Sequence, residues 1–252
     1  MNRRSCLALP ALLAAPLSVA AAAAPAERIL LGFTENLAPL NYQEGAEVRG
    51  FSVELLRKMA AAVALPLELQ VLPWQRAVQM AETQPASVLF SLTRTPEREA
   101  QFQWVGPIAP RRVLIYRLAK RGDLSLPQLS ELGERRIGVV RDSAADRLLQ
   151  AAGLRPGIEL EHGLDDATNV RKLLASRMEF VVLLDWAAAW AMRQHKLDYA
   201  TLQPVMELDV ARAYWFGLRP DADPALVKRL QAALDAMKRD GRYERLRQRY
   251  FR

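Results

Sequence analysis

The chain has 252 residues, 51% of them hydrophobic and 25% charged, with 12 Gly, 15 Pro, one Cys and two His. This composition excludes a collagen-like, disordered or disulfide-rich protein, and the Cys and His are too few for a zinc ribbon or an iron–sulfur cluster. The net charge of +7 is concentrated late in the chain, where residues 228–252 hold nine basic and three acidic side chains. A solvated helix face explains that segment. It lacks the aromatic and motif signals of a nucleic-acid interface, and a weak attraction to anionic lipid or an acidic partner stays open.

In chain order, Asn2-Arg3-Arg4, the apolar run Cys6–Val19 and the small residues Ala20–Ala26 form the three parts of a cleaved secretory signal peptide, residues 1–26. Pro10 and Pro16 interrupt a run already shorter than the ~20 residues of a membrane span. The mature chain is then free of cysteine and exported. Arg28–Phe33 reads as a strand, Ser52–Val63 as an amphipathic helix, Leu67–Val71 as a strand, Trp74–Glu82 as a helix after Pro73, and Val88–Phe90 as a short strand. The pattern restarts with a strand at Val113–Arg117, a short helix at Leu126–Leu132 and a strand at Arg136–Val140. A helix at Ala144–Ala152, a strand at Ile158–Leu160 and a helix at Asp166–Ser176 follow, then a strand at Phe180–Leu184 and a helix at Trp186–His195. A strand at Ala213–Leu218 precedes helices at Pro224–Lys238 and Arg242–Tyr250, split at Asp240-Gly241. Two βαβα series predict an α/β protein with two lobes, and open α/β sheets bind ligands beyond the carboxyl ends of their strands.

Four strand ends therefore carry the candidate chemistry. After Phe90, Ser91, Thr93 and Arg98 make a donor-rich loop suited to a carboxylate, although Thr95-Pro96-Glu97-Arg98 equally suits an N-capped turn. After Val140, Ser143 and Asp146 form a capping box at a helix start, which is also an anion site. After Leu184, Asp185 suits either a ligand ammonium or a helix cap. Trp74 walls a pocket or joins the core. After Phe33, Glu35 is the one carboxylate placed for acid or base work. His162 and His195 lie in polar surroundings, and the chain has no nucleophile elbow, metalloprotease motif or Gly-rich phosphate loop. Neither a metal nor a cofactor is expected.

Several motifs, in order, resemble the bacterial extracellular solute-binding proteins of the polar amino-acid class, type II periplasmic binding proteins. They are Gly50-Phe51-Ser52-Val53-Glu54-Leu55, with Ser52 for the usual acid; Ser91-x-Thr93-x-Thr95-x-x-Arg98 followed by Phe102 and Gly106-Pro107; Ile137–Val140; Leu183-Leu184-Asp185; and Asp240-Gly241-x-Tyr243 with Tyr250-Phe251. The resemblance implies two mainly parallel sheets with a cleft and hinge, lobe 1 spanning 27–110 and 209–252 and lobe 2 spanning 111–208. It assigns Arg98, helped by Ser91 and Thr93, to a ligand α-carboxylate, Ser143 to the same group from the other lobe, and Asp185 to the α-ammonium. Leu37 stands where the family often places a stacking aromatic, and Trp74 would supply the apolar wall instead. Arg76, Arg94 and Arg141 add positive charge near the cleft, so an acidic or simply carboxylated ligand fits. The implied function is capture of a small polar solute without chemistry, as a monomer in the periplasm serving an ABC-type transporter. The alternatives on the same fold are an enzyme resembling cyclohexadienyl dehydratase and a sensing module. The order of the leader predicts that N-terminal sequencing of the exported protein finds a start between Ala23 and Glu27; a retained Met1, or lipid on Cys6, is the contrary result.

Overall fold

The computed structural model describes residues 29–251, so the leader expected at 1–26 lies outside the described residues. The first half of the chain runs β1 (Leu30–Thr34), a hairpin of β2 (Tyr42–Glu44) and β3 (Glu47–Arg49), α1 (Phe51–Ala62), β4 (Leu67–Val71), α2 (Trp74–Thr83) and β5 (Ser87–Thr93). Gly50 joins hairpin to helix at φ 126, and a Cβ there would lie 2.6 Å from the Leu40 carbonyl carbon, so the turn requires glycine. Next come a 3-10 turn at Pro96–Gln101, the long strand β6 (Gln103–Leu118), β7 (Ile137–Val140), α3 (Ala144–Ala151), β8 (Leu160–Gly163) and α4 (Asp166–Leu174). The chain closes with β9 (Phe180–Leu184), α5 (Asp185–Gln194), the long strand β10 (Leu202–Leu218), α6 (Pro224–Arg239) and α7 (Arg242–Gln248). The short helix expected at Leu126–Leu132 is a 3-10 turn at Leu129–Glu131, where Pro127 and Gly133 leave no room for a longer one.

Where the sequence predicts two sheets, the ladder is continuous: β4-β1-β5-β10-β6-β9-β7-β8. The two flanks are parallel, β4-β1-β5 and β9-β7-β8. The joining strands β6 and β10 pair antiparallel from Leu202↔Leu118 to Leu218↔Gln103, with several register shifts. Their length was not legible because Pro107, Pro110 and Pro204 and the charged run Glu207–Arg212 mask the strand pattern.

Two cores flank each end of the sheet. At one end α1, α6 and α7 cover Leu30, Val88, Phe90 and Phe216, and α2 covers Phe33, Leu89 and Leu92. At the other end α3 covers Ile137, Val139 and Val182, while α4 and α5 cover Leu114, Val181 and Leu183. Trp186 of α5 crosses between them. Although it follows β9, it belongs to the core of α1 and α7, its ring 4.8 Å from Phe51 and 4.6 Å from Phe251, and its indole N–H donates to the Pro110 carbonyl at 3.2 Å. Trp186→Ala should cost about 3–5 kcal/mol, a fall in melting temperature on the order of 10 °C, measured by calorimetry of the ligand-free protein; an unchanged transition would remove Trp186 as a tie between the halves.

Candidate ligand-binding site

The β5 end is built around a buried polar triad. Ser91, at φ 57, has its Oγ beside Asn41 Oδ1 and 2.9 Å from Ser52 Oγ. Asn41 and Ser52 are fully buried, and Asn41 donates to the Glu35 carbonyl at 2.6 Å. Ser52, the departure from the family signature, thus ties the α1 start to the end of β5. The Ser91 hydroxyl is committed to this triad. Thr34 is likewise internal, donating to the Phe90 carbonyl at 3.0 Å. Leu37 bridges Asn41 and packs on the core, so it is not placed as a stacking residue.

Arg98 and Trp74 come together. Trp74, the first residue of α2, is half-buried against the α2 core, and the Arg98 guanidinium carbon lies 5.4 Å from its ring centroid. Arg98 donates to the Thr93 carbonyl at 3.3 Å and makes no ion pair among the described residues. Its remaining donors are open to a carboxylate. Arg94 is not available: it holds Glu99 through two nitrogens and stacks on Trp104 and Trp215. Arg76 is exposed and donates to Gln79, and Arg141 is exposed.

Across the sheet, the ends of β7, β8 and β9 enclose a cavity of about 400 Å³ lined by Arg111, Ser143, Asp165, Asp166 and apolar residues that include Val140 and Leu184. Ser143 caps α3, its Oγ accepting the Asp146 N–H at 3.1 Å, so the capping reading holds; the hydroxyl proton stays free. Asp146 is buried beneath, and hydrogen bonds from Gln150, His162 and the Asp142 N–H outweigh the upward pull of burial and hold its carboxyl low. Arg111 donates to Asp209 at 2.8 Å. Asp165 caps α4 through the Thr168 N–H at 2.7 Å.

Asp185 is 4% exposed, and its Oδ1 accepts the Trp186 N–H at 2.9 Å. It opens α5 as the first helical residue instead of capping it. Burial pushes its carboxyl up to about 6 against the pull of Arg112 and Arg247, and it does not line the cavity to which its neighbour Leu184 contributes. Burial also raises Glu35. Asp166 and Arg111 escaped the sequence reading because β8 ends at Gly163, three residues beyond the expected end, and β6 begins well before Val113. Both residues thereby fell outside the strand ends that were inspected.

A carboxyl raised on folding is more protonated in the native than in the unfolded chain, so its contribution to stability falls as pH rises from about 4 to 6 and stays lost above. For Asp185 that cost is of order 2–3 kcal/mol at neutral pH. Asp185→Asn keeps the Trp186 contact and should raise the melting temperature of the ligand-free protein at pH 7.5 by several degrees, with little gain at pH 4. An equal gain at both values would contradict the assignment.

Comparison with known proteins matches residues 29–252 to the bacterial extracellular solute-binding proteins, family 3. The arginine-binding extracellular protein ArtP of Bacillus subtilis (strain 168) is 20% identical over 226 residues, 89% of this chain and 86% of that protein. The membrane-bound lytic murein transglycosylase F of Pseudomonas syringae pv. syringae is 24% identical over 88% of this chain, which spans only 45% of the transglycosylase. In three dimensions the chain is similar to substrate-binding domain 2 of Lactococcus lactis GlnP in its open conformation, with TM-score 0.75 at 17% identity, covering 90% of this chain and 97% of that domain. A solute-binding fold, strand ends that carry unpaired charge, and a family match across all the described residues agree: the chain belongs to the bacterial extracellular solute-binding proteins, family 3.

Proposed function

We propose that this protein captures a small, amino-acid-like solute in the periplasm by closing two lobes on it, and hands it to an ABC-type transporter. Lobe 1 would comprise 27–110 and 209–252 and lobe 2 111–208, hinged where β6 and β10 cross between them. The observation that carries the reading is a set of ionic groups at the strand ends with no ion pair among the described residues: Arg98 from one half and the buried Asp185 from the other. A zwitterion answers both. Its carboxylate would take Arg98, with Thr93 and the Ser91 backbone beside it and Ser143 and the α3 start from the second lobe. Its ammonium would take Asp185 and relieve that burial, while Trp74 supplies apolar wall. The arginine-binding relative supports the ligand class. Only differential affinity for the closed form can drive closure.

The protein is a binder and not an enzyme in this reading. Glu35, the acid a dehydratase-like reaction would need, has no orienting partner for its carboxyl among the described residues.

Arg98→Ala should weaken binding of the solute identified by a thermal-shift screen of amino acids roughly 30-fold or more, read by calorimetric titration. It should scarcely move the melting temperature of the empty protein. Ligand should be recovered chemically unchanged, and small-angle scattering should show a smaller radius of gyration when it binds. Product formation, or an Arg98→Ala variant that binds like the parent, would refute the proposal.

A further inference from the structure

His162 is one of two histidines in the chain, and the capture of a zwitterion as drawn above does not use it. It reaches from β8 to α3, where its Nε2 lies 2.9 Å from Asp146 Oδ1. The histidine side chain is 16% exposed and the aspartate 1%. Against the upward pull of burial, hydrogen bonds hold the Asp146 carboxyl low, so it is an ionised acceptor and the histidine nitrogen donates. Asp146 passes the contact on. Its Oδ2 accepts the Asp142 N–H at 2.9 Å, its Oδ1 also accepts from Gln150 at 2.9 Å, and its own N–H goes to Ser143 Oγ at 3.1 Å. Asp142 stands in the left-handed region at φ 58, where a residue other than glycine needs its surroundings to hold it. A chain of contacts thus runs from His162 to the turn that carries Ser143, which lines the cavity at the ends of β7, β8 and β9.

Ser143 and Asp146 alone suffice for a capping box. A histidine beneath them makes the charge under the turn depend on pH. With His162 protonated the pair is neutral. With His162 neutral, Asp146 leaves one negative charge in the first turn of α3, beside the place proposed for a carboxylate. Opposite His162 on β7 is the apolar Val139. The turn and the α3 start carry Arg141, Asp142 and Arg147, all exposed, and Arg147 donates to the Asp142 carbonyl at 2.6 Å. Across the cavity are Asp165, Asp166 and the Arg111–Asp209 pair. Glu161, next to His162 on β8, is paired with Lys172 at 2.6 Å.

We infer that His162 is a positioning residue for the carboxylate end of this site: through Asp146 it fixes the Asp142–Ser143 turn, and its protonation cancels the negative charge beneath that turn and strengthens the hold on the solute carboxylate. This rests on the solute-binding reading above, on its Ser143 contact in particular, and adds regulation by pH to it.

The test starts from a thermal-shift screen of the mature protein against each of the twenty L-amino acids at pH 5.5 and pH 8, with calorimetric titration of those that bind. Asp185 and Asp166, both pushed up to about 6 by burial, titrate in the same window, so the comparison of parent with variant is the readout. His162→Gln keeps a donor for Asp146 but no titrating charge. It should bind as the parent does at pH 8 and about threefold or more weakly than the parent at pH 5.5. His162→Leu, which removes the donor, should bind more weakly than the parent at both pH values. By reciprocity, the midpoint of the His162 ring resonances in a pH titration followed by NMR should move upward when the amino acid is bound. A His162→Gln pH profile that superimposes on the parent's, or a His162 midpoint that the amino acid leaves unmoved, overturns the role of His162 and leaves solute binding standing. A protein whose melting temperature no amino acid raises at either pH overturns both. Melting curves of the empty variants separate loss of fold from loss of binding.

Discussion

The antiparallel pairing of β6 with β10 organises the molecule. The two strands pair from end to end with bulges between, and each presents its outer edge to a different parallel flank, β5 on one side and β9 on the other. Because side chains alternate along a strand, the pair also sorts charge. Arg111 turns to the cavity and pairs with Asp209, whereas Arg112 turns to the opposite face, pairs with Glu207 at 2.9 Å and lies near Asp185. The cores of the two ends are thus held on one ladder, with Trp186 of α5 as a second tie.

Charge is arranged by burial. On the outside, arginines meet carboxylates in exposed pairs such as Arg155–Glu159 and Arg242–Asp240, which add little to stability. Inside and half-inside, Asp185 and Asp166 are raised by desolvation and have no ion pair among the described residues. A fold selected only for stability would remove them, since a buried unpaired carboxylate costs free energy at neutral pH. Such groups cluster where a ligand completes the electrostatics. Arg98, beside Trp74, is the cation at the other end of the sheet with no ion pair among the described residues.

The helices and the flanking strands were legible because their hydrophobic periods are regular. Leu67–Val71 and Phe180–Leu184 have the expected bounds, and α2, α3 and α6 differ from expectation by a residue. Arg98, Ser143 and Asp185 stood out as ionic or capping residues in the segments that follow apolar runs. Asp166 did not, because His162 and Gly163 in the sequence Glu161-His162-Gly163 do not resemble a strand and the run seemed to end at Leu160.

By itself the sequence determined most of the helices and several of the flanking strands, that two βαβα series exist, and which polar residues sit at most of the strand ends. These follow from local periodicity and from residue chemistry. Tertiary structure decided the rest: that one ladder joins both series, that the Ser91 hydroxyl is spent on Asn41 and Ser52, that Arg94 is neutralised by Glu99, and that Asp185 is buried with no ion pair among the described residues. Whether a charge is free or paired depends on neighbours far away in sequence, and on how much water the fold leaves around it, neither of which a local pattern encodes.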